Sequence, residues 1–263
     1  MKKTKKYLAV LLCLVCGCIV YYAYCYYAPP QMRQPFEVPE PDDTFRIAYI
    51  GDSWAFMHKD EDCRIVQMLE DSISRPVRVY SYGICGLTSK EIYESLFDHP
   101  QMKAFIQQRG YEYCFVSAGI NDTYKKMSLS YYKKSMDAII QFLLENRIHP
   151  IILEIPDYDI QKSYERQSLP KKILRHVSML ISGVPIDCKQ QFRDALMELI
   201  QEKHYTDKVT VISYKSWNSD YAHDQKSLYR SDGLHLNDTG YAVLDSVIAM
   251  NIINSISRSS YCR

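Results

Sequence analysis

The stretch FRIAYIGDSWAF, residues 45–56, decides the fold of this chain and raises the question of its function. Apolar and β-branched residues run as far as Gly51, which is the pattern of a buried strand, and Gly-Asp-Ser ends the run. Ser53 is therefore either a turn residue that caps a helix or a nucleophile at the rim of a sheet. The rest of the chain has to decide between these two roles.

Strand-like and helix-like segments alternate beyond this stretch. The predicted strands are residues 44–50, 76–82, 111–119, 149–156 and 208–214, and the predicted helices include 63–73, 89–97, 130–147, 189–203 and 238–253. Strands that alternate with helices form a parallel sheet with helices on both faces. We therefore predict a three-layer α/β/α domain over residues 44–263, with a central parallel sheet of about five strands. Its last helix is expected to be capped by Asn237 or Asp238.

One connection is unusually long, because residues 157–188 separate the fourth predicted strand from its helix. A connection of this length in a compact α/β domain is often functional, so the segment is either a cap over a site or a surface elaboration. Within it, PKKILRHVSMLI (residues 170–181) has the spacing of an amphipathic helix. Its lysines and apolar face are compatible with a membrane surface, but we expect a helix packed against the core.

The candidate catalytic residues come from loops that should meet at one edge of the sheet. In an open parallel sheet, ligands bind beyond the carboxyl ends of the strands, and the first three predicted strands each end in a glycine-bearing loop there. Asp232 and His235 precede the last helix and should return to the same edge. Ser53 would be the nucleophile, His235 the base that takes its proton, and Asp232 the carboxylate that holds the other ring nitrogen.

A tetrahedral intermediate of acyl transfer also needs fixed hydrogen-bond donors for its oxyanion. The candidates are the backbone N–H groups of Ser53 and Gly86 and the side-chain amide of Asn121. One donor of this kind typically lowers the barrier by ~3 kcal/mol. We therefore predict Ser53, Gly86 and Asn121 as the oxyanion-binding residues.

Taken together, these segments resemble the sequence blocks of the SGNH (GDSL) hydrolase superfamily. The matching segments are Gly51-Asp52-Ser53, Gly86 within GICGLTS, GIND at residues 119–122 and DGLH at residues 232–235. All four occur in the order of the family and at predicted strand ends. The resemblance implies a flavodoxin-like sheet, metal-free ester hydrolysis, and Ser53, Gly86, Asn121 and His235 as the residues that give the superfamily its name.

Two acidic residues within these blocks are expected to be structural. Asp52 should bond loop amides, and Asp122 should organise the loop after the third strand. The chain departs from the family pattern at two positions. Trp54 stands where the family often has leucine, and Leu236 follows the histidine where proline is common.

The N-terminus predicts a membrane-associated segment. It begins MKKTKK, with four lysines, and no charged residue occurs in residues 7–32. The apolar run is long enough to cross a hydrocarbon core at about 1.5 Å per residue, and lysines ahead of it predict a cytoplasmic N-terminus with an exported domain in the periplasm or at the cell surface. Residues 1–28 are therefore expected to be a signal anchor or signal peptide, with lipidation at Cys18 as a third fate. Residues 29–43, with five prolines, should form an extended spacer.

The composition limits the classes of partner that the chain is expected to bind. The formal net charge of +1, from 32 basic and 31 acidic residues, gives no reason to expect a nucleic-acid partner. No C-x-x-C pair occurs after the N-terminal segment, so neither a zinc site nor a thioredoxin-type motif is indicated, and the histidines other than His235 have no ligand spacing. We expect no cofactor and no metal. The disulfide pairing and the oligomeric state stay open.

We interpret the sequence as an exported serine ester hydrolase of the SGNH type that acts through an acyl-enzyme. The expected substrates are small acyl esters, such as O-acetyl groups on cell-surface glycans, and this expectation comes from the predicted location and from family analogy. Three alternatives stay open: an O-acyltransferase to a glycan hydroxyl, a lysophospholipase or lipase, and a non-catalytic glycan-binding module.

Overall fold

The computed structural model describes residues 2–27, 43–61, 63–107 and 109–261. Helix α1 spans Lys2–Tyr27, and the predicted spacer, except for Asp43, lies outside the described residues. Within the described ranges, no helix is both long enough and apolar enough to cross a membrane. Membrane anchoring and export therefore stay predictions.

Five parallel strands form the central sheet in the order β2-β1-β3-β4-β5. They are β1 Phe45–Gly51, β2 Val77–Gly83, β3 Tyr113–Ser117, β4 His149–Leu153 and β5 Thr210–Ile212. This is the strand order of a flavodoxin-like doubly wound sheet, in which the chain reverses its direction of winding between β1 and β3. The predicted flavodoxin-like fold is therefore confirmed, and Gly-Asp-Ser follows β1 at the point where ligands bind in such sheets.

Eleven further α-helices and one 3₁₀ turn occur in the described part of the domain. They are α2 Ser53–Met57, α3 Arg64–Glu70, α4 Ser89–Asp98, α5 Pro100–Gln107, α6 Ile120–Lys125, α7 Leu129–Glu145, α8 Ile160–Glu165, α9 Leu169–Ser182, α10 Lys189–Glu202, the 3₁₀ turn Tyr214–Ser216, α11 Tyr221–Leu228 and α12 Asp238–Tyr261. Asn237 caps α12, since its side-chain oxygen accepts from Gly240 N at 2.9 Å. Of the two predicted caps, Asn237 and Asp238, the first is therefore correct.

Side chains of the sheet alternate between two apolar cores, one on each face. In β1, Ala48 and Ile50 belong to one core, and Ile47 and Tyr49 belong to the other. Helices α4, α5, α7 and α10 cover the first core, while α2, α3 and α12 cover the second. The predicted three-layer arrangement is therefore confirmed, and it follows from the two-residue period of a strand that is buried on both faces.

The long connection at residues 157–188 forms α8 and α9, and the prediction that its second helix packs against the core is wrong. The face of α9 that meets the domain carries Arg175 and Ser178, and both are buried. Five large apolar residues of α9 are 39% to 85% exposed, namely Leu169, Ile173, Leu174, Val177 and Leu180. The helix is amphipathic, as the spacing predicts, but its apolar face points away from the described residues of the domain.

Candidate active site

Asp52 takes over the capping of the helix after β1, which leaves Ser53 free of that role. Asp52 is the N-cap of α2, and its Oδ1 accepts from Trp54 N at 3.0 Å. Its backbone N–H also donates to Ser117 O at the end of β3, at 3.3 Å. Ser53 is therefore the first residue of α2, held at the edge where β1 and β3 end. The reading of Ser53 as a helix cap is wrong for this reason.

A close backbone approach explains the glycine that ends β2. A Cβ atom added to Gly83 would collide with Asp52 O and Phe56 N, so no larger residue fits between β2 and α2. One residue further on, Ile84 N donates to Gly51 O at 3.2 Å. The loop after β2 is thus bonded directly to the Gly-Asp-Ser turn.

The loop between α11 and α12 brings a histidine and a carboxylate to Ser53. His235 Nε2 lies 3.0 Å from Ser53 Oγ, and His235 Nδ1 lies 2.6 Å from Asp232 Oδ2. Because the carboxylate can only accept at this distance, the Nδ1 atom carries the proton and Nε2 is left to accept from the serine hydroxyl. The three side chains predicted as a triad therefore form one hydrogen-bonded series.

Asp232 is held by backbone as well as by the imidazole. Its Oδ1 accepts from the N–H groups of Leu234 at 2.9 Å and His235 at 3.0 Å. Burial raises the pKa of Asp232, but the hydrogen bonds from His235 and Leu234 outweigh this effect, so the pKa lies below its ordinary value. Asp232 can therefore stay ionised and stabilise an imidazolium on His235.

The first turn of α6, directly after β3, places Asn121 beside the Gly-Asp-Ser turn. Asn121 Nδ2 donates to Asp52 Oδ2 at 3.1 Å, which uses one of its two N–H groups and fixes the direction of the other. In the next position, Asp122 accepts from Ser89 N at 2.8 Å and from Ser89 Oγ at 2.7 Å. Asp122 therefore organises the segment after β3, as expected, although this segment is the first turn of α6 and not a loop. Its carboxylate bonds that turn to the start of α4.

Gly86, the other predicted donor, lies in the loop between β2 and α4. Its φ of +84° is in the left-handed region, where any other residue is strained. The Thr88–Glu91 capping box that follows fixes the end of this loop. The backbone hydrogen bond from Ile84 N to Gly51 O joins the loop of Gly86 to the turn that holds Ser53. The hydrogen bond from Ser89 N to Asp122 joins the end of this loop to the turn that holds Asn121. The oxyanion role of all three residues stays a prediction.

Burial is the main cause of the raised pKa values of two carboxyl groups beneath this site. Asp52 and Asp122 are fully buried, and burial raises the pKa of Asp52 to about 7 and that of Asp122 to about 6. Hydrogen bonds from Trp54 and Ser89, respectively, limit the two shifts. Asp52 bonds a backbone amide, as expected, but this amide is that of Trp54 in α2 and not one of a loop. Its second bond, to the side chain of Asn121, is a contact that the sequence did not indicate.

These buried carboxyls predict a pH dependence of stability. A carboxyl whose pKa is raised in the folded state binds more protons there than in the unfolded chain, so its cost to stability grows as pH rises from about 4 to about 7. We expect the melting temperature to rise when the pH is lowered from 7 to 5, and to rise less in Asp52→Asn. Thermal unfolding across this range measures the two slopes. Equal slopes in wild type and variant would contradict the raised pKa of Asp52.

A polar cavity of about 340 Å³ lies beside Asp232 and is walled by the long connection. Its other lining residues are Tyr124, Ser163, Arg166, Gln167, Ser168, Lys171 and Leu234. Gln167 Nε2 donates to the hydroxyl of Tyr124, which ties the connection to α6. Sequence reasoning did not predict this cavity, and the signal for the wall formed by residues 163–171 was the length of the connection.

Comparison with protein families identifies the chain. The model of the GDSL-like lipase/acylhydrolase family matches residues 49–243, about three quarters of the sequence. The chain belongs to this family. The resemblance to the SGNH (GDSL) superfamily is thereby confirmed, and membership of the GDSL-like lipase/acylhydrolase family supports an ester-hydrolysing enzyme.

Solved structures of this fold are similar to the chain at low sequence identity. A lipase/acylhydrolase from Enterococcus faecalis is 16% identical with a TM-score of 0.52, and the match covers 80% of this chain and 96% of that chain. The acetyl xylan esterase AlAXEase is 17% identical with a TM-score of 0.51, covering 79% and 100%. A mutant acetyl-xylooligosaccharide esterase from Geobacillus Stearmophilus is 14% identical with a TM-score of 0.52, covering 79% and 94%. No curated protein matches the chain.

Proposed function

We propose that this member of the GDSL-like lipase/acylhydrolase family is an exported serine ester hydrolase that works through an acyl-enzyme on Ser53. The observation that carries the proposal is the hydrogen-bonded series from Ser53 through His235 to Asp232, with contacts of 3.0 Å and 2.6 Å. Serine is a weak nucleophile at neutral pH and needs an adjacent, oriented base, which this series supplies.

In the proposed reaction, Ser53 Oγ bonds to the acyl carbon while its proton passes to His235 Nε2. The ester C–O bond then breaks, and His235 returns the proton to the leaving alkoxide, which gives an alcohol and an acyl-enzyme. Water attacks the acyl-enzyme, with His235 as base again, and the free acid leaves as Ser53 recovers its proton. Asp232 holds the imidazole in the required tautomer throughout.

The negative charge of each tetrahedral intermediate develops on the former carbonyl oxygen. The donors proposed for it are the N–H groups of Ser53 and Gly86 and the amide of Asn121. The position of Asn121, fixed by its bond to Asp52, supports this role because a preorganised donor does not have to reorient as the charge forms.

Asn121→Ala should lower kcat about 100-fold to 1000-fold and change KM little, since a donor to the oxyanion acts mainly in the transition state. Steady-state kinetics on a p-nitrophenyl ester measure both constants. Asn254→Ala, at an exposed position of α12, is the matched control and should behave as wild type. A rise in KM without a fall in kcat would show that Asn121 only binds substrate.

Small acyl esters of glycans are the proposed substrates. The cavity beside Asp232 supports this choice, because hydroxyl, amide and cationic groups line it and can bond a hydroxyl-rich alcohol portion. Two of the similar structures are an acetyl xylan esterase and an acetyl-xylooligosaccharide esterase. The acyl portion would then be small, and the sugar would lie toward α8 and α9.

Turnover of p-nitrophenyl esters of increasing chain length, with and without an acetylated oligosaccharide as competitor, tests this substrate. Hydrolysis should be fastest for acetate, should slow with chain length and should release one free acid per ester. Ester consumption without free acid, when a sugar acceptor is added, would identify the O-acyltransferase instead. Stoichiometric binding of a glycan without any ester turnover would identify a non-catalytic module.

The exposed apolar face of α9 favours one other candidate function, the hydrolysis of a lipid ester. Lys171 and Lys172 lie beside this face, as in helices that rest on anionic lipid surfaces. If that function is correct, Ile173→Ser with Leu180→Ser should slow hydrolysis of vesicle-borne lysophospholipid at least several-fold and leave a soluble ester unaffected. Met250→Ser, at a half-exposed position of α12, is the control. Equal effects on both substrates would rule this candidate out.

The proposed location is outside the cytoplasm, with residues 1–28 as a signal anchor or as a removed signal peptide. The lysines before residue 7 and the absence of charge in residues 7–32 support it. Mass spectrometry of the membrane-extracted protein distinguishes a full-length anchor from a cleaved chain or from one acylated at Cys18. Protease added outside an intact inner membrane should digest the domain, and resistance until that membrane is broken would contradict export.

A further inference from the structure

Three side chains of the kind that bind metal ions lie close together between the end of α2, the start of α3 and α12. His58 follows α2 directly, Cys63 is the N-cap of α3, and Asp245 lies on α12. His58 Nε2 is 3.2 Å from Asp245 Oδ1, and the ligand atoms of all three residues lie within 4.8 Å of one another. Each residue is at most 8% exposed, so the cluster is shielded from bulk water.

The imidazole in this cluster is oriented by a second set of contacts. His58 Nδ1 lies 3.0 Å from Asp60 Oδ1 and 2.9 Å from Ser81 Oγ. Asp60 is itself fixed, since its Oδ2 accepts from Ser81 N at 2.7 Å. Histidines that bind metals usually donate their other ring N–H to a carboxylate in this way, which points the free nitrogen at the ion. Here, Nε2 points toward Asp245.

A cavity of about 220 Å³ adjoins the cluster, and all three residues line it. Its remaining lining residues are Lys59, Glu61, Arg64, Asp238, Tyr241 and Ala242. The salt bridge between Lys59 and Asp238, at 2.9 Å, lines this cavity and is exposed to solvent, so water is in contact with this part of the cavity wall. The cavity has room for a water molecule beside an ion.

We propose that His58, Cys63 and Asp245 bind a divalent transition-metal ion, with zinc preferred, and that water from the cavity completes a four-coordinate site. One nitrogen, one sulfur and one carboxylate oxygen are ligands that zinc accepts together, whereas a thiolate is a poor ligand for Mg²⁺ or Ca²⁺. Tetrahedral zinc with bonds of about 2.0–2.3 Å holds its ligand atoms roughly 3.3–3.8 Å apart. The 3.2 Å contact already fits, and the widest spacing must close by about 1 Å.

The competing explanation is an ion pair without metal, in which a protonated His58 bridges two carboxylates. Burial lowers the pKa of His58, but hydrogen bonds to Asp245 and Asp60 outweigh it and raise the pKa to about 9, while burial raises the pKa of the Cys63 thiol to about 12. Zinc would replace the proton on His58 Nε2 and the proton on Cys63 Sγ, so two protons leave for each ion bound. The ion pair gives both ring nitrogens of His58 a carboxylate partner, but it assigns no role to Cys63.

Such an ion would join two parts of the fold that already touch. The ring of His58 packs against those of Tyr49 and Tyr241, and Tyr241 Oη donates to Trp54 O within α2 at 2.9 Å. The charged groups facing the imidazole are Asp60 and Asp245, with Lys59, Glu61, Arg64 and Asp238 around the cavity. The ion would therefore fasten the end of α2 to α12 and would have a structural role, separate from the proposed ester hydrolysis.

The full-length chain, treated with a chelator and then equilibrated with Zn²⁺, tests the site. We expect one zinc ion per chain that is lost in Cys63→Ser and in Asp245→Asn but kept in Cys85→Ser, the control for an exposed thiol outside the cluster. Zinc at about 100 times its dissociation constant should also raise the melting temperature of the wild type by roughly 5 °C or more. Calorimetry in two buffers should detect about two protons released per ion.

Two outcomes would overturn the site. One is equal zinc binding by wild type and Cys63→Ser, which would show that Cys63 is not a ligand. The other is a wild-type melting temperature that zinc leaves unchanged, which needs no variant and so holds even if Asp245→Asn fails to fold. With Co²⁺ in place of zinc, a thiolate charge-transfer band should be present in wild type and absent in Cys63→Ser, and a band of equal intensity in both would also contradict the proposal.

Discussion

Replacing Ser53 by alanine should lower kcat/KM for ester hydrolysis by roughly five orders of magnitude and leave the fold unchanged. The loss is large because, in the proposed mechanism, the serine oxygen forms the covalent bond to the acyl group. The fold should persist because Asp52 provides the cap of α2, and the described side-chain contact of Ser53 is its bond to His235. Kinetics on p-nitrophenyl acetate and the melting temperature measure the two effects.

The matched control is Ser130→Ala, which removes an exposed hydroxyl near the start of α7 and should retain wild-type activity. A residual rate in Ser53→Ala well above one hundredth of wild type, with the protein folded, would show that another group starts the reaction. A parallel loss of activity and melting temperature would instead make Ser53 a structural residue.

The second largest effect is expected at the histidine that faces Ser53. His235→Ala should lower kcat by roughly five orders of magnitude, because nothing else is within reach to take the serine proton among the described contacts. Asp232→Asn should cost less, roughly four orders of magnitude, because the amide can favour the wrong imidazole tautomer while the base remains present. Kinetics on the same ester, at one pH where all variants are folded, rank the three proteins.

His223→Ala is the control, since it removes an exposed histidine on α11 that pairs with Asp224. It should not alter the rate. Full activity in His235→Ala would contradict the triad, and a larger loss in Asp232→Asn than in His235→Ala would contradict the division of roles between base and positioning carboxylate.

The fold could be predicted from the sequence because strands buried on both faces carry a strong signal. The run that ends at Gly51 is almost continuously apolar, and helices separate it from the strands that follow, which specifies a parallel sheet. The edge at which its loops meet follows from the same rule. For this reason, the sequence could propose that Ser53 and His235, 182 residues apart, lie together, and the structure has them 3.0 Å apart.

Two features could not be predicted from the sequence, for physical reasons. Helical spacing in α9 shows that the helix has an apolar face but not what that face contacts, and here a buried Arg175 faces the domain instead. The contact between His58 and Asp245 joins residues 187 positions apart, so a search for metal ligands at short sequence spacing does not find it. Both depend on tertiary packing, which periodicity does not encode.

Peptide mapping by mass spectrometry after reaction with a fluorophosphonate tests the central claim most directly. The probe phosphonylates an activated serine hydroxyl and so reports the nucleophile itself. We predict one adduct per chain, located on Ser53, that is absent in Ser53→Ala and strongly reduced in His235→Ala. An adduct on any other residue, or labelling that persists in Ser53→Ala, would contradict the account.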